Sequence, residues 1–215
     1  MGYNVGMHPG LEEQGGGRVA LTAVGADQPG IVSALTGALE DLGCNLEDST
    51  MSILRGHFAV LLVVSAPDGT DEATLEAALA RVATEKHLVI TVRPFSEEAE
   101  AVGSSASPIP GSPAVSDRSV SSDERVGSAY TLSIHGADRP GIVYHVATSL
   151  ADVGGNVVGL STRLIGEPDQ PVYVMVLTAS FPEGVDGEAA TARVHRAAAE
   201  MDVQCRVHPA DADVL

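Results

Sequence analysis

The stretches GADQPGI, residues 25–31, and GADRPGI, residues 136–142, are one turn written twice in a chain of 215 residues. Asp27 and Asp138 stand 111 positions apart, and the match holds at that offset on both sides of the turn. Leu21 falls on Leu132, and Leu39, Asp41, Gly43 and Asn45 fall on Leu150, Asp152, Gly154 and Asn156. A chance match would lose register before it reached the far end of a helix, so we read an internal repeat.

Each copy has the same element order. RVALTAV (18–24) alternates apolar and small residues as a strand does. GIVSALTGALEDLG (30–43) sets Ile31, Leu35, Leu39 and Leu42 at helical spacing and stops at Gly43. NLEDSTMSIL and HFAVLLVVSA flank a tight Arg55-Gly56 turn and read as a hairpin. An amphipathic helix over 71–87, with Leu75, Leu79 and Val82 on one face, precedes the strand LVITVRP. The second copy predicts strands at 129–135, 156–165, 171–181 and 203–209, with helices at 141–154 and 187–201; GEPDQ replaces the short hairpin turn. The order β-α-β-β-α-β belongs to the split βαβ, ferredoxin-like sandwich. The predicted class is α+β: two such sandwiches, each a four-stranded antiparallel sheet with two helices on one face.

The predicted organisation is a leader over 1–17, a first domain over 18–95, a linker over 96–128 and a second domain over 129–210. The leader is polar and rich in Gly, without the basic start and apolar core of a signal peptide. The linker is rich in Ser, Pro and Gly and spans roughly 30 Å as a flexible coil. Its serines offer phosphorylation sites, although a plain spacer is the simpler reading.

Composition narrows the function. The formal net charge is −17, which repels phosphate backbones and anionic membrane surfaces, so neither nucleic acid nor membrane is an expected partner. The longest apolar run, from Phe58, is too short to span a bilayer. Aromatic residues are 3% and Trp is absent, so the cores are aliphatic. Cys44 and Cys205 are expected as reduced, buried thiols in a cytoplasmic protein, with no base beside either. The histidines have no metal-ligand spacing, and PDGTDE at Pro67 lacks the first aspartate of a phosphatase motif. We therefore expect no catalytic residue, no metal and no cofactor.

The repeated turn is where a ligand is expected. Gly25 and Gly136 permit a close approach, and Pro29 and Pro140 suit a first helical turn. Asp27 and Asp138 stand where an N-cap belongs; freed from capping, either carboxylate would hold an ammonium group. The amides of Gly30, Ile31, Gly141 and Ile142 open a helix and suit a carboxylate. Together they describe the two ends of an amino acid. Asn45 and Asn156 lie at the opposite end of each predicted sheet, out of reach of their own turn. Two halves packed with antiparallel first helices bring Asp27 to Asn156 and Asp138 to Asn45. The plain alternative is that Asp-x-Pro-Gly starts a helix and each Asn opens a strand.

GADQPGIVSALTGALEDLGCNLED and GADRPGIVYHVATSLADVGGNVVG resemble the first half of ACT domains, and the likeness covers both repeats. Two ACT domains together resemble the glycine cleavage system transcriptional repressor group. The resemblance implies a non-catalytic, amino-acid-sensing regulator. Its ligand would contact Gly25, Asp27, Gly30 and Ile31 with Asn156, and Gly136, Asp138, Gly141 and Ile142 with Asn45. The serine-sensing ACT domain carries His and Asn where this chain has Gly25 and Asp27. The implied partners are a small amino acid and a regulatory or enzymatic protein, with the repeats packed on each other within one chain or across a homodimer. The alternatives are a ligand-free interaction module and an accessory subunit of an amino-acid or folate enzyme.

Overall fold

A computed structural model of the chain describes residues 17–95, 126–167 and 170–210. The first half runs β1 (Arg18–Ala26), α1 (Ile31–Glu40), β2 (Asn45–Leu54), β3 (His57–Ser65), α2 (Glu72–Glu85) and β4 (Leu88–Pro94). The second runs β5 (Val126–Ala137), α3 (Ile142–Ala151), β6 (Asn156–Glu167), β7 (Gln170–Pro182), α4 (Gly187–Glu200) and β8 (Val203–Pro209). Both halves have the predicted βαββαβ order. The predicted leader lies outside the described residues except for Gly17, whose carbonyl accepts from the Ala66 amide at 3.1 Å. The predicted linker lies outside them up to residue 125, but its last three positions begin β5, which pairs onward from Val126↔Pro182.

Local chemistry accounts for the element ends. Arg55 and Gly56 both have positive φ, 51° and 74°, the conformation that closes a two-residue hairpin with the twist of its strands. Asp71 caps α2 by accepting from the Thr74 amide at 2.8 Å, and Asp186 caps α4 by accepting from Glu188 and Ala189. The first helix of each half is different. Its N-cap is Gly30 in α1 and Gly141 in α3, at left-handed φ of 81° and 90°, with no side-chain cap. Asp27 and Asp138 are therefore not the caps of these helices. The chain turns so sharply after each proline that only glycine fits the position comfortably, and the aspartate is left three residues upstream with its side chain pointing elsewhere.

The strands form one antiparallel sheet in the order β4-β1-β3-β2-β6-β7-β5-β8. The two four-stranded sheets are thus joined edge to edge, through Ser49↔Thr162, Thr50↔Ser161 and Met51↔Leu160. At the 111-residue offset Ser161 is the equivalent of Thr50, so the middle pair sits on a pseudo-twofold axis. Joining the edges also satisfies backbone groups of β2 and β6 that each half alone would leave as a template for aggregation.

The helices cover one face. Alternate residues of the strands point into it: Leu21 and Ala23 on β1, Phe58, Val60, Leu62 and Val64 on β3, Met175, Leu177 and Ala179 on β7. Against them lie Leu35 and Leu39 of α1 and Val146 and Leu150 of α3. Each of the larger of these side chains, Val, Leu, Met or Phe, contributes about 1.5–3 kcal/mol by leaving water. On the far face Val24, Leu61 and Val176 remain exposed.

The twofold lays α1 against α3 in opposite directions. Glu40, at the end of α1, faces His145 in the first turn of α3, with Oε1 3.3 Å from Nε2. The helices meet closely at Gly37, where an added Cβ would stand 2.8 Å from Cε2 of Tyr144. Gly37→Leu should therefore destabilise the chain by about 1–3 kcal/mol. Urea unfolding would measure it, and Tyr144→Ala in the same chain should return part of the loss. A Gly37→Leu variant as stable as the parent would show that the seam is loose.

Candidate functional site

The first turn of each half is held by backbone before any side chain acts. The Asp27 amide donates to the Gly56 carbonyl at 2.8 Å, tying the turn to the β2–β3 hairpin. An added Cβ at Gly25 would stand 2.6 Å from Leu88 Cδ2 and 2.9 Å from the His87 carbonyl oxygen. At Gly136 it would stand 2.8 Å from Val203 Cγ1. The close approach that these glycines permit is thus taken by the neighbouring edge strand. Pro29 and Pro140 are exposed and set the chain direction into the glycine cap.

Within each half the Asp and the Asn lie at opposite ends of the sheet. Gly25 faces Phe58 and Asn45 faces Ser65, at the two ends of β3. Across the twofold they meet. Asn156 Nδ2 donates to Asp27 Oδ2 at 2.9 Å, and Asn45 Nδ2 donates to Asp138 Oδ2 at 2.6 Å. Two clefts result, one at each end of the α1–α3 seam. Gly30, Ile31 and Asn156 line the first with Asp27. Gly141, Ile142 and Asn45 line the second, beside Asp138. Gly25, Pro29, Gly136 and Pro140 line neither. Counting their open mouths the clefts measure about 250 and 320 Å³, but the enclosed part of each is on the scale of a single water.

The clefts are related by the repeat but differ in chemistry. Ala147 and Ala151 of the first correspond to Thr36 and Glu40 of the second, and Gln28 corresponds to Arg139. Gln28 donates to the Lys86 carbonyl at 2.9 Å, whereas Arg139 pairs with Asp202 at 3.0 Å. Tyr173 lines the second cleft and is 1% exposed. Its equivalent is Phe58, since Gly136 faces Tyr173 as Gly25 faces Phe58. The sequence reading missed Thr36, Glu40, Arg139 and Tyr173. Aligning the two copies would have exposed them, because a hydroxyl at a core position of β7 where β3 has phenylalanine breaks the repeat.

Two polar atoms of the second site have no hydrogen-bond partner, Asp138 Oδ1 and the Tyr173 hydroxyl. Burial pushes the Asp138 carboxyl up, while the Asn45 amide and the Arg139 backbone N–H offset it only in part. Burial also pushes the Tyr173 phenol far up, so it is a neutral hydroxyl at all ordinary pH. Both cysteines are free; Cys44 is buried as expected, whereas Cys205, on the edge strand β8, is only half-buried, and desolvation raises the Cys44 thiol and carries Cys205 to about 11, so neither is a ready nucleophile. Among the described residues no group of three or more His, Cys, Asp and Glu converges as a metal site would. Among them, too, no helix is long and apolar enough to cross a membrane.

The raised Asp138 carboxyl has a stability consequence. A native state that holds a proton more tightly than the unfolded chain loses stability as pH rises through the two values. Asp138 thus weakens the fold at neutral pH and stops doing so below the ordinary carboxylate range, about pH 4. Asp138→Asn keeps an acceptor for Asn45 and removes the charge. It should melt above the parent at pH 7, and the gap should close as pH is lowered. Melting curves of both proteins between pH 7 and pH 4 would check this; a gap that widens toward acid would reverse the sign.

Comparison with known proteins places the chain. The ACT domain family model matches residues 18–93. A UPF0237 protein of Corynebacterium diphtheriae is 35% identical over 74 residues, which are 34% of this chain and 83% of that protein. The glycine cleavage system transcriptional repressor of Escherichia coli is 40% identical over 47 residues, 22% of this chain but only 25% of the repressor. Among solved structures, the regulatory subunit of aspartate kinase from Thermus thermophilus is similar over 84% of this chain and 93% of its own, at 17% identity and a TM-score of 0.33. The matched model, and the relative covered over most of its length, show that the chain belongs to the ACT-domain family.

Proposed function

We propose that this chain is a non-catalytic amino-acid sensor. A small α-amino acid binds between the two halves, where the Asp-x-Pro-Gly turn of one meets the asparagine of the other, and occupancy alters a protein partner. The observation that carries this reading is the pair of cross-half contacts, Asn156 to Asp27 and Asn45 to Asp138. Each end of the α1–α3 seam has a carboxylate for an ammonium and the opening amides of a helix for a carboxylate. The chemistry of an amino acid is matched at both of its ends.

The same contacts suggest how binding becomes a signal. The Asn–Asp bonds close the clefts, so a ligand enters only by displacing them or by moving α1 against α3. A ligand that favours one relative position of the halves shifts the population toward it, by no more than its difference in affinity for the two. A partner that grips both halves would read the shift. At a charge of −17, any influence on transcription passes through a protein rather than direct DNA contact.

One observation favours a second reading, an interaction module without a ligand. The direct Asn–Asp bonds already occupy one oxygen of each aspartate and leave little enclosed space. Titration calorimetry against the twenty amino acids, with melting curves, separates the two. A ligand at about a hundred times its Kd stabilises the native state by roughly 2.7 kcal/mol. Replacing both asparagines, Asn45→Ala with Asn156→Ala, should weaken binding ten- to a hundredfold and, because each also leaves an aspartate without its cross-half donor, lower the stability of the ligand-free chain by about 1–3 kcal/mol per site, so affinity is measured at a temperature where the variant is folded. Twenty silent titrations would favour the interaction module, and a double variant that binds as the parent does would remove the asparagines from the site.

A further inference from the structure

The two clefts have equal backbones and unequal side chains. On the Asp27 side of the twofold axis three core positions are apolar: Met51, Phe58 and Leu160 are all buried. Beside the Asp138 cleft the equivalent positions are Thr162, Tyr173 and Ser49. The Thr162 hydroxyl donates to Ser49 Oγ at 2.9 Å, and both residues are buried. Thr162 spends its one donor on Ser49 and keeps its acceptor lone pairs, which the neighbouring Tyr173 hydroxyl approaches without making a hydrogen bond of normal geometry. A buried, unpaired hydroxyl costs free energy that a phenylalanine would not, and the chain has phenylalanine at the matching place in its first half. A second unpaired atom, Asp138 Oδ1, belongs to the residue that Asn45 of this cleft holds. One residue with an unpaired hydroxyl, Tyr173, thus lines this cleft, with Asp138 held next to it by Asn45, and the twin cleft has no hydroxyl at the place of Tyr173.

Resting on the sensor reading above, we infer that the two clefts have diverged: the Asp138–Asn45 cleft takes a single small α-amino acid whose side chain carries a hydroxyl or carboxamide, and the Tyr173 hydroxyl reads that side chain. Asp138 Oδ1 accepts from the α-ammonium. The opening amides of α3 and Arg139 at the rim attract the α-carboxylate. The side chain then points inward to the Tyr173 hydroxyl. A site built to hydrogen-bond a polar side chain rejects an analogue that lacks it, because its own buried group is left unpaired again. The Asp27 cleft has Ala147 and Ala151 in its lining and phenylalanine at the place of Tyr173; its Gln28 and Ser33 already donate to the Lys86 and Gly30 carbonyls, and it serves as the structural counterpart. The divergence makes the pseudo-symmetric chain a one-site sensor.

The test is titration calorimetry of the full chain with serine, threonine, asparagine and glutamine against glycine, alanine and valine. The expected result is one ligand per chain and a preference for at least one of the polar four over alanine. Tyr173→Phe should lower the affinity for that ligand ten- to a hundredfold, leave alanine unchanged, and melt no lower than the parent, which shows that it is folded. Asn45→Ala alone should weaken binding, and Asn156→Ala alone should not. Two equal sites per chain, a Tyr173→Phe variant with parental selectivity, or loss of binding through Asn156→Ala but not Asn45→Ala would each overturn this inference and leave the sensor reading standing. Silence with every amino acid would overturn both.

Discussion

The pairing of β2 with β6 is the contact from which the rest of the arrangement follows. Three residue pairs centred on Thr50 and Ser161 turn two small sheets into one. Because Thr50 and Ser161 are equivalent in the repeat, the pairing imposes a twofold axis on everything else. The helices are placed on the same face, α1 runs against α3, and the turn at one end of the first half meets the asparagine at the far end of the second. Had the halves joined through β4 and β8 instead, the same sequence would have made neither cross-half contact.

A twofold axis built from two different sequences leaves room for divergence at little cost to the fold. Positions that fill the core and shape the turns are kept in kind: leucines and valines on α1 and α3, glycine at the caps, and asparagine and aspartate at the clefts. Positions just behind the clefts are not. Ser49, Thr162 and Tyr173 gather on one side of the axis and Met51, Phe58 and Leu160 on the other. Hydrophobic packing tolerates either set in shape, since Tyr173 and Phe58 are nearly isosteric, but only one set leaves a hydroxyl to be satisfied. The energetic imperfection is local and sits in the cleft.

The element order was legible because it rests on short-range physics. The two-residue period of HFAVLLVVS and the helical spacing of Leu75, Leu79 and Val82 are written within single elements, and the structure keeps β2, β4 and β8 at their predicted bounds. The repeat made the meeting of Asp27 with Asn156 an expectation, since antiparallel packing of like helices is the symmetric way to bury both faces. Less was legible at the turn. Asp27 and Asp138 have the right residue type for a cap, yet the caps are Gly30 and Gly141, because the backbone reverses too tightly there for a side chain to reach the first amides. Gly25 and Gly136 likewise serve the edge strands Leu88–Pro94 and Val203–Pro209 more directly than any ligand.

The sequence by itself determined the elements, their order and the doubling of the turn, because each depends on residues a few positions apart. The tertiary structure alone decided that the two sheets join through β2 and β6, that each asparagine bonds an aspartate of the other half, and that Tyr173 is buried beside Asp138 without a partner. Those outcomes depend on groups up to 129 positions apart, on which edge pairs with which, and on what burial leaves unsatisfied. None of that is carried by local periodicity; it appears only when the halves are packed and every buried polar group has to find a partner or go without.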